Sequence, residues 1–144
     1  MSTTYYFIRH AEKNRNGGRN PHLTETGKSQ AIYWGEILAD KGIEQIYCTS
    51  LIRTRETALP LAEKLGLPIK IYDVHDLYSS KFQKDTRGKT VLIVGHQDTT
   101  PAFVNRILQT RKYPYIESKN HGNLYRVSIS DKGKISSDLS HIDL

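Results

Sequence analysis

Thr90-Val91-Leu92-Ile93-Val94-Gly95-His96 reads as a strand that is apolar on both faces and stops abruptly at a glycine and an imidazole. A continuous β-branched run of this kind belongs to a strand covered on both sides, the pattern of a parallel sheet held between helices. Thr4-Tyr5-Tyr6-Phe7-Ile8 repeats it near the start of the chain and breaks into charge at Arg9-His10. Residues 45–49 and 69–72 are shorter runs of the same character. Helical spacing fills the gaps. Thr24 is a fitting N-cap for a helix carrying Ala31, Trp34, Gly35 and Leu38, with Gly42 beyond its end. Ser50 is the expected cap of a second helix running toward Gly66, which Pro60 should interrupt or kink. Thr99 or Thr100 before Pro101 opens a third, extending to about Leu108. Tyr125, Val127 and Ile129 alternate with polar residues, and Asp131-Lys132-Gly133 supplies a turn before Ile135, so a late, more exposed hairpin is expected. The alternation of strand and helix predicts an α/β three-layer sandwich, with a mostly parallel central sheet and helices on both faces.

The length of 144 residues predicts one domain spanning 1–144. With 37% apolar and 25% charged residues and a mean hydropathy of −0.57, the chain has material for one ordinary core and is neither disordered nor membrane-embedded in character. A single cysteine, Cys48, can form no internal disulfide, which agrees with a reducing compartment. Residues 1–8 lack the basic start of a signal peptide, and no apolar run approaches the roughly 20 residues that cross a bilayer. A cytoplasmic, soluble protein is expected. The formal net charge of +6 allows anionic partners without choosing among them.

In open α/β sheets, ligands bind beyond the carboxyl ends of the strands, so the residues just after each strand carry the function. Here those residues are Arg9-His10-Ala11-Glu12, Ser50 through Arg53, and Gly95-His96. Two arginines and two histidines on one rim suit a phosphoryl group. Guanidinium forks match phosphate oxygens in pairs and keep their charge at any physiological pH. A neutral imidazole can attack phosphorus and divide one hard displacement into two easier ones.

At these positions the chain resembles the histidine phosphatase superfamily, also called the phosphoglycerate mutase-like family. The matching residues are Arg9-His10-Ala11-Glu12, Leu23-Thr24-Glu25-Thr26-Gly27 with Gln30-Ala31, Cys48-Thr49-Ser50-Leu51-Ile52-Arg53-Thr54 with Glu56-Thr57-Ala58, and Val94-Gly95-His96, in family order across most of the chain. The resemblance implies that His10 is the phosphorylated nucleophile and that Arg9, Arg53 and His96 surround the phosphate, with Asn16 as a further phosphate-side group. Ala11 stands where the family usually has glycine, which requires a backbone there that any residue can adopt. A phosphomonoester leaving group needs an acid. Asp76, in the region after the third strand where relatives place theirs, Asp98 close after His96, and Glu12 are the three candidates.

The implied activity is a metal-independent phosphatase acting through a phosphohistidine on a phosphomonoester or a phosphohistidine protein. A non-catalytic phosphate-binding adaptor and a mutase-like phosphotransferase are the alternatives. The stretch between Tyr72 and Thr90 is short and polar, which leaves little to cover the pocket and disfavours a mutase, since a mutase must exclude water. The basic residues are scattered and the aromatics fit core positions, so neither nucleic acid nor membrane is an expected partner. His22, His75, His121 and His141 lack metal-ligand spacing and read as surface or turn residues; no metal or other cofactor is implied. Lys13 to Arg19 reads as a solvated loop, able to help draw in anions.

Overall fold

A computed structural model describes residues 1–144. The strongly apolar runs become neighbouring strands at the centre of one six-stranded sheet. They are β1 (Thr3–Arg9) and β4 (Thr90–Gly95), flanked by β2 (Gln45–Cys48) and β3 (Ile69–Ile71) on one side and by β5 (Asn123–Ile129) and β6 (Ile135–His141) on the other. The order is β3-β2-β4-β1-β5-β6. The first four strands are parallel, and the β5–β6 hairpin adds antiparallel to β1.

Side chains alternate across the sheet with the period of two that strand geometry imposes. Ile8, Leu92 and Val94 point to a face covered by helices α1 (Glu25–Leu38) and α2 (Ile52–Leu65), where Trp34, Leu38 and Leu61 close the core. Tyr5, Phe7, Val91 and Ile93 point to the opposite face, against helices α3 (Ser80–Thr86) and α4 (Thr99–Leu108). Helices on both faces of a mostly parallel sheet are the architecture expected. No helix is long and apolar enough to cross a membrane.

Local departures from expectation have identifiable causes. Helix α3 was not foreseen in the polar stretch before Thr90. Ser79 accepts from the amide of Phe82 to start it, and Phe82 anchors it by packing between Tyr47 and Phe103 at ring separations of 4.9 and 5.3 Å. Ser50 does not cap α2; Leu51 occupies that position, and the amide of Ile52 donates instead to Asn20 Oδ1 at 2.9 Å, from a loop 32 residues away. The helix runs on through Pro60 and ends at Gly66, in the left-handed region that favours glycine. Asp98, rather than a threonine, caps α4, accepting from Thr99 N at 2.8 Å. Gly42 has φ +76° but sits past the α1 C-cap, Ala39.

The feature that builds the site is strand register. Arg9 pairs with Gly95, and the amide of His10 donates to Gly95 O at 2.9 Å, so the two strands end side by side and release His10 and His96 at the same rim. Gly95 is required here. A Cβ on it would meet Thr100 Oγ1 at 2.6 Å and the Tyr72 hydroxyl at 2.7 Å.

Candidate active site

A cavity of about 880 Å³ opens at this rim, and Arg9, His10, Arg53, His96 and Asp98 all line it. His10 is 4% exposed. Its Nδ1 lies 2.7 Å from the carbonyl oxygen of Ala11, and since a carbonyl only accepts, Nδ1 carries the proton and Nε2 the free lone pair. Burial, reinforced by the positive charge of Arg9, pushes its pKa down to about 3, so the ring is neutral at physiological pH. Ala11 has no unusual φ, is fully buried against Leu23 and Ala31, and donates its amide to Thr57 Oγ1 at 2.9 Å. The methyl group therefore fits where the family usually has glycine.

His96 sits with its ring 5.5 Å from that of His10. Its proton follows from a chain of hydroxyls. Thr54 Oγ1 donates to the carbonyls of Thr49 and Leu51 and so accepts from Thr49 Oγ1; Thr49 Oγ1, its own proton spent, accepts from His96 Nε2 at 3.0 Å. Burial and the charge of Arg53 lower the pKa of His96 to about 4.

Arg9 is 5% exposed, and its guanidinium clamps the segment before β5, with Nη1 donating to the carbonyls of Ser118 at 2.9 Å and Asn120 at 2.8 Å. Arg9 Nε, and Nε and Nη1 of Arg53, are buried without an acceptor. Neither arginine forms an ion pair with a carboxylate; the ion pairs of the chain lie elsewhere. Two desolvated cations without a counter-ion face two neutral imidazoles. Such an arrangement is suited to receiving an anion, because the donors are fixed in advance and the cost of desolvating them has already been met.

A family model described as the histidine phosphatase superfamily, branch 1, matches residues 5–74. This segment, just under half of the chain, belongs to that superfamily. A probable phosphatase of Schizosaccharomyces pombe is 34% identical over 94 residues, which cover 60% of this chain; the chain spans only 44% of that relative's length. Among solved structures, a mycobacterial glucosyl-3-phosphoglycerate phosphatase superposes with a TM-score of 0.73 at 15% identity, over 98% of both chains. The protein histidine phosphatase SixA, solved with tungstate, gives 0.74 at 17% identity, over 96% of both. A phosphoserine phosphatase of Entamoeba histolytica gives 0.74 at 16%, over 97% of this chain and 98% of that one. At these identities the structural likeness establishes the histidine phosphatase fold.

Other residues expected at the site are placed elsewhere. Asp76 is exposed and outside the cavity lining, its amide closing a turn onto Asp73 O at 3.1 Å. The same loop instead brings Asp73 and His75 to the wall. Asn16 is also exposed and away from the lining, in a loop tightened by its amide bond to Asn14 Oδ1. Glu12 accepts from Thr24 Oγ1 at 2.8 Å and faces a neighbouring cavity. His75 is the exposed turn residue expected, although it also lines the cavity, whereas His121 is half-buried and engaged. His121 Nδ1 donates to the carbonyl of His10 at 2.9 Å, with the two rings 5.6 Å apart. Nothing local in Asn120-His121-Gly122 signals this, because the contact spans 111 residues.

Proposed function

We propose that residues 1–144 act as one catalytic unit, a phosphatase that passes its phosphoryl group through His10. The observation that carries this reading is the pairing of a buried neutral imidazole, whose free lone pair is on Nε2, with two guanidinium groups that have no carboxylate partner. Arg9 and Arg53 hold the phosphoryl oxygens and His96 contributes from the opposite wall. The lone pair of His10 Nε2 forms a bond to phosphorus as the ester P–O bond breaks, and the leaving oxygen takes a proton from the carboxyl group of Asp98. Water then attacks phosphorus and the N–P bond breaks, which returns neutral His10 and releases phosphate with the water's protons on it, while Asp98 regains its proton from solvent. The charge developing on the phosphoryl oxygens is met by the arginines, so the reaction as written needs no metal.

Substrates of two classes are compatible with the relatives: small phosphomonoesters and phosphohistidine proteins. The width of the cavity favours hydrolysis over the enclosed, water-excluding transfer that a mutase needs. A pure binding module has no use for a pre-set nucleophile, which sets the adaptor reading aside. We place the protein in the cytoplasm, where its one buried thiol, Cys48, stays reduced.

The test is a quench experiment. Incubation with p-nitrophenyl phosphate followed by denaturation should leave acid-labile, base-stable phosphate on the wild-type protein and none on His10→Ala. Full retention of turnover by His10→Ala would reject the mechanism.

A further inference from the structure

The peptide unit joining His10 to Ala11 is held on both edges. Its N–H donates to Thr57 Oγ1 at 2.9 Å, and its carbonyl oxygen, that of His10, accepts from His121 Nδ1 at 2.9 Å. The next unit is held on its N–H edge, where Glu12 N donates to Gln30 Oε1 at 3.0 Å, and it offers its carbonyl, that of Ala11, to the His10 ring. The bond that fixes the His10 tautomer is thus only as well placed as these two peptide planes. Thr57 and Gln30 act from helices α2 and α1, whereas His121 reaches back from the segment before β5.

That segment is itself braced. Arg9 Nη1 binds the carbonyls of Ser118 and Asn120 ahead of His121. Behind it, Gly122 O accepts from Ile142 N at 2.7 Å, and a Cβ on Gly122 would run into Ile142 O. The carbonyl that His121 meets can only accept, so Nδ1 carries a proton whether the ring is neutral or charged, and the bond needs no change of charge to persist. Burial, with a smaller effect from Arg9 and Arg15, favours the neutral ring. His121 does not line the cavity that takes the phosphoryl group, so any influence on the chemistry passes through His10.

We propose that His121 is a positioning residue for the nucleophile, holding the His10 carbonyl so that the His10 ring keeps its Nε2 lone pair aimed at phosphorus. The inference rests on the reading of His10 as the nucleophile. Loss of His121 slows formation and hydrolysis of the phosphohistidine, while Arg9 and Arg53 go on binding the anion.

Three replacements separate the donor from the bulk of the side chain. His121→Asn keeps a nitrogen donor on the same Cγ, His121→Leu fills much of the space without a donor, and His121→Gln stays polar but carries its donor one bond farther out. His121→Leu and His121→Gln should lower kcat on p-nitrophenyl phosphate at least about tenfold, toward the roughly 100-fold that a 1 Å misplacement can cost. The inhibition constant of inorganic phosphate should stay within about twofold, and His121→Asn should recover kcat to within about threefold of the wild type. His141→Ala, which removes a neighbouring exposed imidazole, should change neither quantity. Imidazole nitrogen NMR reads the same effect without turnover: His10 should be a single Nδ1–H tautomer in the wild type and His121→Asn, and a mixture in His121→Leu and His121→Gln. Wild-type kcat in His121→Leu and His121→Gln, a His121→Asn as slow as they are, an equal loss in His141→Ala, or an unmixed His10 tautomer in the slow variants overturns the proposal. If His121→Leu does not fold, the contrast between His121→Asn and His121→Gln decides by itself. Absence of turnover in the wild type would instead count against the phosphatase reading, while the nitrogen spectra still decide the positioning role.

Discussion

A buried imidazole with its Nδ1 proton committed to a carbonyl has one lone pair left to use, on Nε2, and in His10 both the backbone bond to Ala11 and the low pKa keep it available. The acid is a separate requirement, and leaving-group chemistry isolates it. If Asp98 protonates the departing oxygen, Asp98→Asn should lower turnover of an alkyl phosphate on the order of 100-fold, the lower end of what a positioned acid contributes. Hydrolysis of p-nitrophenyl phosphate, whose phenolate leaves without help, should change little. Steady-state kinetics with both substrates decide the matter; equal losses on the two would show that the variant harms the cap of α4 rather than proton transfer. At this scale the sequence carried Arg9, His10, Arg53 and His96 legibly, because each follows a recognisable strand or sits in a helix just after one. It could not carry the placement of Asp76 outside the cavity, which depends on how one turn closes, nor His121, which reaches His10 only through the folding of the sheet.

Elements deliver these residues through close backbone approaches, and Gly27 makes one of the two tightest. A Cβ at Gly27 would run into the carbonyl oxygen of Glu12, so helix α1 packs directly on the segment that follows His10. Backbone cannot yield as a side-chain tip can. Gly27→Ala is therefore expected to destabilise the fold by about 1–3 kcal/mol of overpacking, less the roughly 1 kcal/mol that alanine gains over glycine within a helix. It should also displace Glu12 and Ala11, so kcat falls as well. Urea unfolding and phosphatase assays on the same preparation check both, and a stabilised, fully active Gly27→Ala would refute the packing argument. The elements themselves were readable where burial writes a pattern. β1 and β4, covered on both faces, are continuous apolar runs, and α1 shows its apolar stripe under Thr24. Helix α3 was not readable, since Ser80-Lys81-Phe82-Gln83-Lys84-Asp85-Thr86 offers one large apolar side chain and no stripe. The start of α2 was misread because its amide partner, Asn20, lies in a distant loop.

Over the whole molecule, the site behaves as a stored electrostatic cost. Arg9, Arg53, His10 and His96 meet at one rim with much of their polar side chains buried, and the folded chain tolerates this while both histidines remain neutral. Their folded pKa values, about 3 and about 4, lie below the value near 6.5 of an unfolded histidine. Between pH 6.5 and about 4 the unfolded chain therefore takes up protons that the folded chain refuses. Stability rises with pH across this window, is fully present above it, and is lost as the solution is acidified. At pH 5, His10 alone removes about 2 kcal/mol, 1.5 pH units at roughly 1.4 kcal/mol each, and His96 a comparable or smaller amount. Against a typical total of about 5–15 kcal/mol, that is a large fraction. The urea midpoint should accordingly drop between pH 7.5 and pH 5.0, and His10→Asn should flatten the drop by removing one of the two groups. Phosphate should restore stability most strongly at the acid end, because an anion between the arginines lets His96 accept a proton in the folded state and so reverses the sign of its contribution. Unfolding midpoints with and without phosphate at both pH values test this. A midpoint that is independent of pH between 7.5 and 5.0 would mean that the two rings titrate as they do in water, and that the pocket is far wetter than its burial indicates.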